Sequence, residues 1–214
     1  MKARLVCWPW RLCLGIALAG CGTAPPTRLH SLLPAPAPAA AAAPAAAIGT
    51  AAAASWELAG VNVPAQVDQP QWLVRLADDS LVALEHDRWV APLTDEIRGA
   101  LVQHITAALQ TAPLRNAVLA VPAPRWRINV EVTRLDAAPG RYSRWDVAWT
   151  LQRVGATAPA LRCRGVFEQA AAAGLPALAA AHRANVARLG DALAADLRRL
   201  SALPEGSRAD CAAA

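Results

Sequence analysis

Trp126-Arg127-Ile128-Asn129-Val130-Glu131-Val132-Thr133 carries an apolar side chain at every second position and a polar one between. Successive side chains on a strand point to opposite faces, so this run reads as a half-buried strand. After the Pro139-Gly140 turn the alternation resumes, with Trp145, Val147, Trp149 and Leu151 against Arg144, Asp146, Thr150 and Gln152. Leu161, Cys163 and Phe167, opposed by Arg162, Arg164 and Glu168, make a third strand of the same kind. The three predict an antiparallel sheet with one apolar face that needs a cover.

The cover is predicted on either side of these strands. Leu93, Ile97, Leu101, Ile105 and Leu109 recur every four residues, an amphipathic helix of about 18 residues that stops before Pro113. Pro92 suits its first turn, and Asp95 and Glu96 suit its electropositive N-terminus. Val186, Leu189, Leu193, Leu197 and Leu200 mark a second helix within Leu175 to Leu200. Upstream, Trp56 to Val63 reads as a strand with an irregularity at Gly60, closed by Pro64. Gln71 to Leu76 and Ser80 to Leu84 read as a hairpin or two consecutive short strands around Asp78-Asp79, preceded by the turn signal Asp68-Gln69-Pro70. The order β-β-β-α-β-β-β-α predicts an α+β, two-layer fold: a mainly antiparallel sheet with both helices on one face, its strand order left open. The other face, with Arg127, Glu131, Arg144 and Asp146, is either solvated or a docking surface.

This domain, residues 55–203, accounts for about 150 of the 214 residues. Residues 204–214 are read as a C-terminal tail. The N-terminal part has a different character. Lys2, Arg4 and Arg11 precede an apolar core from Leu12 to Ala19, far short of the roughly 20 apolar residues a membrane-crossing helix needs, so residues 1–20 read as a signal peptide. From Gly22 to about Ala54 the chain is Pro/Ala-rich and nearly uncharged, with too little bulky apolar surface to offset ordering entropy. Residues 21–54 are therefore expected to be a tether, either a spacer several nanometres long or a filler of biased composition.

The net charge of +5 arises from 21 basic and 16 acidic side chains. Three of the basic ones lie in the leader, which leaves the mature chain near +2 with arginines scattered among carboxylates, and no nucleic-acid partner is expected. Hydrophobic residues make up 55% of the chain, but aromatics only 5%, and much of the excess is alanine. The sequence contains no Gly-x-Ser-x-Gly, no Gly-x-x-x-x-Gly-Lys, no His-Glu-x-x-His and no Cys-x-x-Cys. His30, His86, His104 and His182 are isolated from one another, and no catalytic residue, metal ligand or cofactor is expected.

Leu18-Ala19-Gly20-Cys21 resembles the lipobox of bacterial lipoproteins. The resemblance implies cleavage before Cys21, diacylation of its thiol and usually acylation of its new amino group. Each buried methylene contributes about 0.8 kcal/mol, so two or three chains anchor a protein durably. Gly22 stands where many inner-membrane lipoproteins of enteric bacteria carry Asp, which implies the inner leaflet of the outer membrane. With Cys7 and Cys13 removed and Cys21 lipidated, Cys163 and Cys211 remain as one pair that an oxidising compartment allows to bond. The alternative is a buried free thiol at Cys163.

Val61-Asn62-Val63-Pro64-Ala65-Gln66-Val67-Asp68-Gln69-Pro70-Gln71-Trp72-Leu73-Val74-Arg75 resembles the first third of the PqiC/YmbA lipoproteins, the auxiliary lipoprotein component of ABC-type transport systems. Arg88-Trp89-Val90-Ala91-Pro92-Leu93 before a helix is similar to the family's next signature, and Trp149 with Leu151 to its later strand. Ala91 departs from an acidic residue there, Gln66 from a larger apolar or aromatic one, and His30 from a tyrosine. The resemblance implies a non-enzymatic, outer-membrane-anchored subunit that docks a periplasm-spanning MCE-domain protein and its inner-membrane components for lipid transport and membrane integrity. Self-association is left open. Asp68, Pro70 and Arg75 would shape a loop and strand edge for the partner, or Pro70 only fixes a turn and Arg75 pairs with a carboxylate. Arg88 belongs to the same candidate surface, and Trp89 is either an interface anchor or packed on the following helix. The rival reading is an outer-membrane assembly lipoprotein that binds a β-barrel or lipopolysaccharide.

Overall fold

The structure, a computed structural model, describes residues 25–33, 55–114, 124–156, 159–204, 207 and 209–211. The leader and Cys21 lie outside the described residues. The fold is α+β. Its elements are β1 (Arg28–His30), β2 (Ser55–Asn62), β3 (Gln71–Arg75), β4 (Leu81–Trp89), α1 (Leu93–Leu109), β5 (Arg125–Ala138), β6 (Tyr142–Arg153), β7 (Leu161–Ala170) and α2 (Leu175–Ala202).

The alternating strands form the larger sheet, ordered β2-β5-β6-β7. β5, β6 and β7 are antiparallel neighbours, and the buried partners Val130 and Trp149, and Trp145 and Phe167, lie side by side on its inner face. β2 runs parallel to β5, which the intervening β3, β4 and α1 make sterically accessible. Its register shifts between Leu58 and Gly60. A Cβ on Gly60 would stand 3.1 Å from Asn129 Oδ1, so the irregularity falls where the Asn129 side chain lies against the glycine backbone.

Both helices contact this sheet, α1 at β2 and α2 at β5, β6 and β7. Leu93, Ile97, Leu101 and Ile105 of α1 are buried, as are Val186, Leu189, Leu193 and Leu197 of α2. The helices meet at Gly190, where an added Cβ would lie 2.6 Å from His104 Cβ. Alanine favours a helix interior over glycine by about 1 kcal/mol, yet here the clash is with an atom fixed to the backbone. Gly190→Ala is therefore expected to lower the unfolding free energy by about 1–3 kcal/mol, read from a urea titration. A stabilised variant would show that the helices separate freely.

Two features differ from the sequence expectation. The hairpin expected around Asp78-Asp79 is present, but β3 and β4 belong to a second sheet, ordered β1-β4-β3. β4 also runs on to Trp89, so Arg88 and Trp89 are strand residues and not a connection. The second difference is β1, which lies inside the segment expected to be tether. Arg28–His30 pairs in parallel with Asp87–Trp89. Leu32 is 1% exposed and part of the core. Ser31 Oγ and the Leu32 N–H both donate to the buried Glu96 carboxylate of α1, at 2.7 and 2.8 Å. The Pro/Ala-rich residues 34–54 thus join two strands of one fold. β1 starts after Pro25-Pro26, which have no N–H to extend the ladder.

The structure joins Cys163 on β7 to Cys211, with the sulfurs 1.99 Å and the Cα atoms 5.7 Å apart. The bridge holds residues 209–211 beside the sheet.

Candidate docking surface

The candidate residues sit where the small sheet meets the turn before it. The Val67 N–H donates to Pro64 O at 3.0 Å and the Asp68 N–H to the same carbonyl at 3.2 Å, a turn that buries Val67 and exposes Asp68. The Trp89 N–H donates to Pro70 O at 2.9 Å, which ties this turn to the end of β4. An open hollow of about 400 Å³ lies between them, lined by Asp68, Gln69, Pro70, Val90, Pro92 and Leu93, with Trp89 beside them. Val90 is 52% exposed.

The floor beneath is aromatic and buried. The Trp89 ring is buried and packs at 4.6 Å between centroids on Trp72, whose other neighbour is the His30 ring at 4.3 Å. The His182 ring of α2 stands edge-on to both tryptophans, at 5.7 and 5.9 Å. Trp89 therefore packs on the second helix, while its ring is mostly withdrawn from the surface. His182 Nδ1 accepts from Trp145 Nε1–H at 2.9 Å, and the indole can only donate, so the imidazole is neutral with its proton on Nε2. Complete burial, with the Arg183 charge nearby, pushes its pKa down to about 3.

The structure brings Asp68, Pro70 and Trp89 together and leaves Arg75 and Arg88 outside the hollow. Arg75 Nε donates to both oxygens of Asp136 at 3.0 Å, and its Nη1 donates to Asp79 O at 2.9 Å. Burial alone would raise the Asp136 pKa, but hydrogen bonds from Arg134 and Arg75 outweigh it and the carboxyl stays below its ordinary value. Arg75 thus stitches the hairpin to β5. Arg88 is exposed on the opposite face of β4 from Trp89.

Sequence reasoning passed over three groups that hold this region. Asp87 is buried and accepts from Arg28 Nη2 at 3.0 Å and pairs with His30 Nε2 at 2.8 Å. Its burial would raise its pKa, yet His30 and Arg28 bring it below the usual value. The available signal was His30 itself, the residue departing from tyrosine in the resembled family. Glu96 was read only as a helix-dipole charge, and His182 as one more isolated histidine. Among the described residues no group of three His, Cys, Asp or Glu side chains is placed to hold a metal ion.

Residues 32–194 match the model of a family described as the ABC-type transport auxiliary lipoprotein component. No match is found among curated proteins. Among solved structures, the chain is similar to an uncharacterized protein at 17% identity, over 67% of this chain and 90% of that one, with a TM-score of 0.56. It is also similar to a Xanthomonas campestris protein of the DUF330 family at 13% identity, over 67% and 84%, with a TM-score of 0.55. At these identities the likeness is one of fold.

Proposed function

Since this chain belongs to the family of ABC-type transport auxiliary lipoprotein components, we propose that it is the outer-membrane-anchored subunit of an MCE-type system. On this reading acyl chains on Cys21 hold it in the periplasmic leaflet of the outer membrane. The domain receives a periplasm-spanning MCE-domain protein that carries lipid to or from inner-membrane components. No bond is made or broken by the domain itself, and no cofactor takes part.

The observation that carries this reading is the hollow beside Asp68 and Pro70. It is apolar in part, open, and built on tryptophans that are buried and packed on each other, a combination that limits the ordering a surface must undergo on binding. Asp68 at its rim offers a charge that sets partner register more than affinity. Arg75 serves the docking surface indirectly, by fixing the hairpin.

Asp68→Arg tests this reading, because the side chain is exposed and its replacement leaves the fold unburdened. Affinity capture from cross-linked envelopes is expected to recover an MCE-domain protein with the wild-type chain and to lose it with a variant whose circular dichroism is unchanged. Capture of a β-barrel or lipopolysaccharide machinery alone would reject the transport reading in favour of an assembly role.

A further inference from the structure

We infer that the outer face of the β1-β4-β3 sheet rests on an anionic phospholipid surface. The inference depends on the lipoprotein reading of Cys21 and goes beyond it by assigning which face of the domain meets the bilayer.

The first support is chain length. Arg28, the first residue of β1, is the seventh residue after Cys21. A chain spans at most about 3.3–3.6 Å per residue, so an acylated Cys21 lies within about 25 Å of β1. The long Pro/Ala-rich segment adds nothing to this reach, because it follows β1 instead of preceding it. Nor can the reach grow by peeling β1 away, since Leu32 is in the core and Glu96 holds Ser31 and the Leu32 N–H.

The second support is the composition of the face nearest the anchor. Paired residues share a face, Leu29 and Gln71 with Arg88, Leu73 with Ala83, and Arg75 with Leu81, and the register shift between Gln71 and Trp72 brings Arg88 to the same face as Ala83 and Leu81. Trp72, Val74, Asp87 and Trp89 take the other face and are buried. The outer face thus exposes Leu29, at 62%, beside the cation Arg88, and Leu81, at 45%, beside Ala83, while on the other face Val82, next to Val74, is exposed at 39%. Exposed leucines flanking an arginine suit a headgroup boundary, where the apolar side chains enter the acyl region and the guanidinium meets phosphate. The outward residues of β7, by contrast, are Arg162, Arg164, Val166 and Glu168, where a single apolar side chain stands among three charges.

The test uses the full lipidated chain in vesicles of phosphatidylethanolamine and phosphatidylglycerol with brominated acyl chains. A fluorophore is placed on Ala83→Cys or, as a control on the larger sheet, on Glu131→Cys. Bromine quenching is expected at position 83 and absent at 131, and Leu29→Glu with Leu81→Glu is expected to abolish it. Absence of quenching at 83, with acyl chains found on Cys21 by mass spectrometry, overturns the orientation and leaves the lipoprotein reading standing. Absence of acyl chains removes the premise and the proposal with it. Shielding of position 83 in detergent by a second copy, seen as a doubled mass in light scattering, would assign the face to self-association instead.

Discussion

Acidification from about pH 7 to 5 is expected to cost the domain about 2 kcal/mol of unfolding free energy through one side chain, His182. His182 is neutral in the fold because burial lowers its pKa from 6.5 to about 3. The unfolded chain protonates this residue near the ordinary value and the native state does not, so the unfolded state binds more protons as pH falls below 6.5. Stability is then complete above that value and declines by about 1.4 kcal/mol per pH unit towards the folded pKa. Asp136, Asp87, Glu57 and Asp78 also have lowered pKa values. Their contribution is present above the unfolded carboxylate values and disappears only as pH falls below about 4. The window between about pH 7 and 5 therefore isolates His182 from these carboxylates. Urea midpoints across that window should slope for the wild-type chain and be flat for His182→Gln, which retains an acceptor for Trp145 Nε1–H. An equal slope in both would show that the imidazole is not the group responsible.

Leu32→Ala is expected to cost about 2–4 kcal/mol, the price of an emptied core site, whereas Leu29→Ala three residues earlier should stay within about 0.5 kcal/mol. Leu32 is 1% exposed and Leu29 62%. A tether reading predicts no effect from either. A chain begun at Ser55 should fare worse still, because it loses Leu32 from the core and, with it, the partners that Arg28 and His30 give Asp87 and that Ser31 and the Leu32 N–H give Glu96. Domains of this size have only about 5–15 kcal/mol in total. Thermal unfolding followed by circular dichroism is expected to show that shortened chain without a cooperative transition. A cooperative transition near that of the full chain would mean that β1 is dispensable.

These two residues also mark where reading the chain in order succeeds and where it stops. His182 and Leu32 are both unremarkable locally: one is a lone histidine on a helix, the other a leucine among prolines and alanines. Their importance comes from groups distant in sequence, Trp145 for the imidazole and Glu96 for the backbone N–H of Leu32. At the candidate site, Asp68, Pro70 and Trp89 were grouped only through the resemblance to a family, because nothing local showed that β4 runs on to Trp89, whose N–H meets Pro70 O. Arg75 was legible only as a choice between contact and ion pair, because Asp136 is 61 residues away.

Periodicity by itself determined β5, β6, β7 and the two helices, since a buried face imposes a repeat of two or of 3.6 that nothing else in a sequence imitates. It also determined that the sheet would be half-buried and that helices would cover it. Only the tertiary structure decided that the strands divide between two sheets, that β2 runs parallel to β5, and that a three-residue strand in a Pro/Ala-rich stretch joins the smaller sheet and brings Leu32 into the core. Such a strand is too short to show a period. Its place is set by hydrogen bonds and burial supplied by β4 and α1, and those contacts exist only once the chain has folded back upon itself.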